Sequence, residues 1–315
     1  VHELGPKKMF DACKKHNMKV IQLSAIGAEQ ENPVTDFLKS KRKADQYLLK
    51  IDVPHVILYP GIVLGEQGSS TRQLSLLARL YCIPLVFSID KKLPLISIYQ
   101  LTHRIVDIIK YWPDTNQSEV LIANPETIKN LLSNLRQWMG LGNGYFFSIP
   151  YPFIKLTFYL FPKLSIGAFN QQSIHMLSTY SRKAYAPINK QTASASLLTG
   201  KASNRFKKDM QLRMLFYFNL FTLATIWIVS GFSSLINIEQ SRELIASVGI
   251  NGVQGDAIIV IAAISDILLG ILLGYPRLRR WVILMQIAVM LIYSVIISIF
   301  IPLFWLDPFA PIIKN

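Results

Sequence analysis

The sequence predicts an α/β unit built on a parallel sheet, followed by an all-α bundle that crosses a membrane. Three observations carry this reading. Through residues 1–140, short apolar runs alternate with helical patterns, as parallel strands covered by helices require. Beyond residue 205, three long apolar stretches follow one another: Met214–Ile236, Ala257–Tyr275 and Trp281–Trp305. Each is close to the roughly 20 residues an α-helix needs to cross about 30 Å of hydrocarbon. Between the two regions, residues 141–204 are aromatic, basic and rich in small polar residues, and fit neither pattern. The chain therefore divides into a sheet domain (1–140), a connecting segment (141–204) and a transmembrane domain (205–315).

The elements follow in order. Gly5–Asn17 predicts a helix, with Pro6 tolerated in its first turn and Met9, Ala12 and Cys13 on one face. Val20-Ile21-Gln22-Leu23 predicts a short buried strand ending at Ser24-Ala25-Ile26-Gly27. Pro33 opens a second helix, Val34–Lys50, in which Phe37, Lys41, Ala44 and Leu48 recur at helical spacing. Val53–Tyr59 is a second strand and Pro60-Gly61 a turn. In parallel sheets the ligand crevice lies outside the C-terminal ends of the strands. Ser24 and Pro60-Gly61 occupy that edge, and Lys41 can return to it from the following helix. From spacing alone, a solvated lysine beside a turn serine is the more ordinary outcome.

Three groups of residues carry a resemblance: Leu23-Ser24-Ala25-Ile26-Gly27-Ala28, Phe37-x-x-x-Lys41-x-x-Ala44-Asp45, and Tyr59-Pro60-Gly61-Ile62-Val63-Leu64-Gly65. In this order they resemble the second half of an atypical, extended short-chain dehydrogenase/reductase of epimerase-like type. Pro94–Ile98 resembles the strand near that family's substrate pocket, and Ala123–Thr127 the start of its late helix. The resemblance implies the second half of a Rossmann-type domain that binds NAD or NADP. It places Ser24 at the position of a catalytic serine bonded to substrate oxygen. It places Lys41 where a lysine binds the nicotinamide ribose and lowers the pKa of a tyrosine four residues earlier. Pro60, Gly61 and Ile62 fall at cofactor-binding positions.

The chain departs from that pattern at several points. Phe37 stands where the tyrosine is expected, and without a phenolic hydroxyl no proton passes to a carbonyl from this position. Tyr59 replaces an arginine that commonly precedes Pro60-Gly61, and Gln100 an aspartate. No G-x-G-x-x-G occurs anywhere, although such a loop lets backbone N–H groups approach a pyrophosphate at a helix N-terminus. Either the chain is a fragment whose first portion lies ahead of Val1, or the protein binds no dinucleotide.

In the connecting segment, Tyr145–Gly167 is crowded with aromatics and broken by Pro150, Pro152 and Pro162. Its apolar run is too short to span a bilayer, so it lies either on the inner leaflet or as a hydrophobic edge on the sheet domain. Thr192–Ser203 reads as a flexible linker. In the second span, Asp266, Gly270 and Gly274 recur at helical spacing, and the two glycines invite a neighbouring helix to approach closely. Asp266 must then face the bundle, because an unpaired carboxylate in lipid costs a few kcal/mol or more. It serves either as a responsive site or in an interhelical bond to a group such as Asn219, Gln286 or Ser294. Trp227-x-x-Ser230-Gly231-Phe232, Val248-Gly249-Ile250-Asn251-Gly252, Asp266-Ile267-Leu268-Leu269-Gly270 and Trp305–Asn315 resemble the DoxX-like membrane domain over about residues 205–315. That resemblance implies a four-helix bundle, with its fourth span after Asn315.

Charge sets the remaining expectations. The net charge is +14. Much of it lies beside the first span, in Arg182, Lys183, Lys190, Lys201, Arg205, Lys207, Lys208 and Arg213. This is the signature of attraction to a bilayer with anionic headgroups rather than to nucleic acid. Arg277, Arg279 and Arg280 join spans two and three, whereas the loop after span one carries Glu239, Arg242, Glu243 and Asp256, with little positive charge. The bias predicts a multi-pass protein of the cell's inner (plasma) membrane with the N-terminal domain cytoplasmic. Cys13 and Cys82 form no C-x-x-C pair and predict reduced, buried thiols, and the histidines show no metal spacing. The expected function is an NAD(P)-dependent oxidoreductase acting on a small apolar, membrane-derived substrate. Its alternatives are a non-catalytic module of a membrane protein complex, and a transporter whose one polar landmark is Asp266.

Overall fold

The computed structural model describes residues 3–85, 92–123, 125–150, 200–247 and 249–300, with Pro152, Leu198 and Pro302. The aromatic stretch from Phe153 to Gly167, the basic residues Arg182, Lys183 and Lys190, most of the Ser/Ala/Thr-rich stretch and Trp305 lie outside the described residues. Two compact units emerge, dividing at Leu212 and Arg213.

The first unit alternates strands and helices: α1 (Leu4–Lys15), β1 (Val20–Leu23), α2 (Asp36–Leu48), β2 (His55–Pro60), β3 (Ile62–Leu64), α3 (Ser69–Arg79), β4 (Cys82–Leu85), β5 (Lys92–Leu93), β6 (Leu95–Ser97), α4 (Ile98–Lys110), β7 (Gln117–Leu121), β8 (Glu126–Thr127), α5 (Ile128–Met139) and β9 (Tyr145–Ser148). The strands β1, β2 and β7 form a parallel sheet in the order β1-β2-β7, and β3 pairs in parallel with β6 and β4 with β9. The short β5 and β8 pair antiparallel. All six residues of β2 are buried, as a central parallel strand covered on both faces should be.

Three apolar clusters fill this unit. Phe10, Leu38, Ala44, Leu48, Val53 and Ile57 lock α1 and α2 onto one face of the sheet. Val56, Leu58, Ile96, Leu101, Ile108 and Leu121 seat α4 on the other. The largest joins α3 and α5 through Leu74, Ala78, Leu131 and Leu135, and extends to Ala202, Phe206 and Met210. Beneath it, the buried Arg136 donates to the carbonyls of Ala78 (2.5 Å), Leu80 (2.6 Å), Gly142 (2.7 Å) and Asn143 (3.3 Å). One planar fork thus satisfies the C-terminal carbonyls of α3 and the turn after α5.

Several expectations are corrected. On α1 the fully buried residue is Phe10 and Cys13 packs against the same cluster, while Met9 is 62% exposed and Ala12 is exposed, so the face named from the sequence only borders the buried one. Cys82 is exposed rather than buried, at the start of β4; both thiols are free. Tyr145–Ser148 form a strand paired with β4, which for these residues is the second of the two expected placements, an edge on the sheet domain. Ala202 and Ser203, at the end of the Thr192–Ser203 stretch, are docked rather than loose. The Ala202 N–H donates to the Trp138 carbonyl (2.9 Å) and the Ser203 N–H to Glu66 (2.8 Å). The Ser203 hydroxyl then accepts from the Phe206 N–H (3.1 Å) and caps the next helix. Phe206 lies against Trp138, with ring centroids 5.1 Å apart.

The remaining helices are α6 (Asn204–Ile236), α7 (Ile238–Ser247), α8 (Gly252–Leu272) and α9 (Arg279–Phe300). Among the described residues α6, α8 and α9 are long and apolar enough to cross a membrane. The loop expected after the first span contains α7, closed against α8 by a bidentate ion pair from Arg242 to Asp256 (2.6 and 2.8 Å). Helices α6 and α8 approach to backbone contact. A Cβ at Gly231 would sit 2.5 Å from the Ala263 carbonyl, and one at Gly270 2.9 Å from the Ala224 carbonyl. Gly274 takes no part in that contact, because α8 ends at Leu272 and Gly274 lies in the turn beyond. Asp266 faces the bundle, but its partner is Ser230, whose hydroxyl donates to it at 3.4 Å, and none of the three groups expected from the sequence.

Candidate functional site

The site is built where the strands of the first unit end. After Leu23 the chain keeps following β2: the Ser24 N–H donates to the Leu58 carbonyl (2.8 Å) and the Ile26 N–H to that of Pro60 (3.0 Å). From β2 the chain steps sideways. The Gly61 N–H reaches back to Leu121 of β7 (3.0 Å), while the Ile62 N–H bonds the Pro94 carbonyl (2.8 Å) and begins the pairing of β3 with β6. This step explains Gly61 sterically, since a Cβ there would lie 2.4 Å from the Pro94 carbonyl oxygen. Ser24, Pro60, Gly61 and Ile62 are thereby brought to one C-terminal rim.

Helix α2 supplies the rest. Thr35 caps it by accepting from the Leu38 N–H (3.3 Å), which fixes the start and hence the face it presents. Lys41 and Asp45, one turn apart, point at the end of β1. The Lys41 ammonium donates to the Leu23 carbonyl (2.8 Å). Asp45, only 2% exposed, accepts a short bond from the Ser24 hydroxyl and another from the Gln22 side-chain amide (3.3 Å). The turn between is held by Arg42, which donates to the Glu29 carbonyl (2.9 Å), and by the Glu29 carboxylate, which accepts from the Gly27 N–H.

The electrostatics follow from burial. Burial pushes the Asp45 carboxyl above its usual range, opposed by the bonds from Ser24 and Gln22 and by the charges of Lys41 and Arg42. Burial holds the Lys41 ammonium below the ordinary lysine value, opposed by Asp45. Tyr59, the phenol nearest this group, is pushed up to about 12 by burial and by the charges of Asp45 and Glu29. It is therefore a poorer acid than a free tyrosine and does not replace the hydroxyl missing at Phe37, which packs against the core.

The sequence-predicted residues thus share one rim. The hydroxyl of Ser24 is directed at Asp45, inward, and is 7% exposed. Lys41 uses one of its three donors on Leu23. Asp45 and Gln22 had no role assigned from sequence. Their signal was a carboxylate one turn beyond Lys41, with a polar residue inside an otherwise apolar strand. Gln100 also finds its reason: it forms a reciprocal cap with Ser97 (2.9 and 3.1 Å) at the start of α4.

Residues 224–315 match the DoxX-like family. No curated protein sequence matches the chain. Among solved structures, the chain is similar to MoeE5 in complex with UDP-glucose and NAD, at 11% identity and a TM-score of 0.39, covering 47% of this chain and 57% of that one. It is similar to UDP-glucose 4-epimerase from Thermotoga maritima with UDP-glucose, at 12% identity, TM-score 0.38, covering 47% and 57%. It is also similar to the Bordetella bronchiseptica enzyme WbmH in complex with NAD+, at 14% identity, TM-score 0.39, covering 47% and 55%. The chain spans little more than half the length of these three proteins.

Proposed function

We propose that this protein is a membrane-tethered nucleotide-binding protein of reductase/epimerase type, in which the rim at Ser24, Lys41 and Pro60-Gly61-Ile62 holds NAD or NADP. The observation that supports this best is Lys41: a half-buried ammonium, fixed by one bond at the end of β1, with two donors left to meet ribose hydroxyls. A bound nicotinamide would supply hydride chemistry. The chain's own residues bind and orient; at the rim, among the described residues, Phe37 lacks a hydroxyl and Ser24 is turned toward Asp45. This favours a cofactor-binding or assembly module of a membrane complex over an oxidoreductase. The second reading, reduction of an apolar membrane-derived substrate, draws on the retention of Ser24, Lys41 and Pro60-Gly61 and needs a water or another side chain as proton donor.

The three apolar helices and the DoxX-like match support the membrane tether. Arg205, Lys207, Lys208 and Arg213 before the first of them support a cytoplasmic N-terminal unit, a plasma-membrane location and contact with anionic headgroups.

The decisive measurement is NADH and NADPH binding to the full-length protein by fluorescence, repeated on Lys41→Ala. Saturable binding weakened roughly tenfold by the substitution fits loss of one charge-assisted bond. No binding, or binding indifferent to Lys41, removes the proposal. In a second arm, Phe37→Tyr places a phenol one helical turn before Lys41, and is expected to create measurable reduction of a carbonyl substrate. Continued inactivity would show that the missing hydroxyl is not what silences the site.

A further inference from the structure

The membrane unit holds a cavity of about 410 Å³. Its walls are mostly isoleucine and alanine from α7, α8 and α9, among them Ile259 and Ile297. Its polar groups are few: the Asp266 carboxylate, the hydroxyls of Ser230, Ser234 and Ser241, and Tyr293. Asp266 is the one charged side chain in the lining, and it is more than nine-tenths buried, at 8% exposure. Among the described residues, its one hydrogen-bond partner is Ser230 at 3.4 Å, a long bond that spends little of a carboxylate's capacity. Of the arginines at the two ends of this unit, Arg242 pairs with Asp256 and Arg279 donates to the Leu273 carbonyl (3.1 Å).

We infer that this cavity is a binding site for a lipophilic amine, with the apolar body among the isoleucines and the protonated nitrogen on Asp266 and its neighbouring hydroxyls. The volume falls in the range of sites for small molecules, and the lining follows the pattern of such sites, an apolar wall with a few convergent polar groups. Charge complementarity chooses the occupant. A carboxylate in hydrocarbon is costly without a counter-charge, and the walls supply none. A neutral alcohol would leave that charge uncompensated and a carboxylate would double it, whereas an ammonium removes it. The inference is independent of the nucleotide reading, since every residue concerned lies in the other unit.

The test uses the full-length protein in nanodiscs of zwitterionic lipid, with empty nanodiscs as the blank, and three probes of equal chain length: octylamine, octanol and octanoate. Octylamine is expected to bind saturably at one site and at least about tenfold more tightly than octanol, with octanoate excluded. Asp266→Asn should abolish the preference for the amine while preserving its shape. Ala262→Phe, which fills the cavity from its wall and leaves Asp266 in place, should abolish binding of both amine and alcohol. Each variant is scored only with an unchanged thermal transition. Equal binding of amine and alcohol, an amine preference that survives Asp266→Asn, or no saturable binding because protein already fills the space, overturns the inference.

Discussion

At the residue scale, the group that decides the character of the rim is Asp45. Its carboxyl is buried between α2 and the end of β1, and burial outweighs the two hydrogen bonds and two cations that favour its charged form. The sign follows from linkage. A carboxyl whose folded pKa lies above its unfolded value takes up a proton first in the folded state. The stability this contributes is fully present below the unfolded value, near 3.9, and is lost as pH rises through the folded pKa. Asp45→Asn keeps the shape and the bond from Ser24, with the Gln22 amide free to turn over, but has no proton to lose. Relative to wild type, the variant should therefore gain stability as pH rises from about 4 to about 7.5. Thermal transitions of both proteins across that range would show it. A difference that stays flat, or slopes the other way, would mean that Asp45 is charged in the fold without penalty.

At the scale of elements, what was legible in the sequence is what rests on local pattern. β1 has the bounds its apolar run gave, and α2 and β2 lie within a residue or two of theirs, because burial on a central parallel sheet writes itself as continuous apolar sequence. The strands β3 to β9 are two to five residues long, and apart from β6, which the resemblance marked, they are made strands by pairing partners distant in sequence. The rim was legible in part. Ser24 and Lys41 could be placed on one edge, but the inward turn of the serine depends on Asp45, which only the packing of α2 reveals. In the membrane unit, the glycine pair at Gly270 and Gly274 was half right. The close approach is made by Gly270 against Ala224 and Ile228 and by Gly231 against Ala263 and Ile267, a relation no single-helix spacing carries. That pairing makes a prediction. Gly231→Leu must displace the Ala263 carbonyl and Ile267, and should destabilise the bundle by about 1–3 kcal/mol or more. Val229→Leu, two residues away at a 58% exposed position, should stay within about 0.5 kcal/mol. Thermal denaturation in detergent compares them. Equal effects would mean that α6 and α8 do not pack through their glycines.

At the scale of the whole molecule, the distribution of positive charge carries the orientation, and Cys82 provides a way to read it. Apolar length makes a helix cross a membrane but has no direction; direction comes from Lys and Arg retained on the cytoplasmic side. Here Arg205, Lys207, Lys208 and Arg213 stand before the first crossing, and Arg277, Arg279 and Arg280 stand between the second and third. The segment after the first crossing offsets Arg242 with Glu239, Glu243 and Asp256. Both basic groups lie on the same side of a chain that crosses between them twice, so the two counts reinforce one another. Of the two thiols, Cys82 is exposed and Cys13 only partly so, which makes Cys82 the faster target of a bulky reagent. A membrane-impermeant maleimide should therefore label the protein in inverted membrane vesicles and leave it unlabelled in right-side-out ones. Cys82→Ser should remove most of that signal, and opening right-side-out vesicles with detergent should restore it for the wild type. Labelling of intact right-side-out vesicles would place the N-terminal unit outside. The basic residues would then need a role other than topology, and a cytoplasmic nicotinamide pool could not reach Lys41.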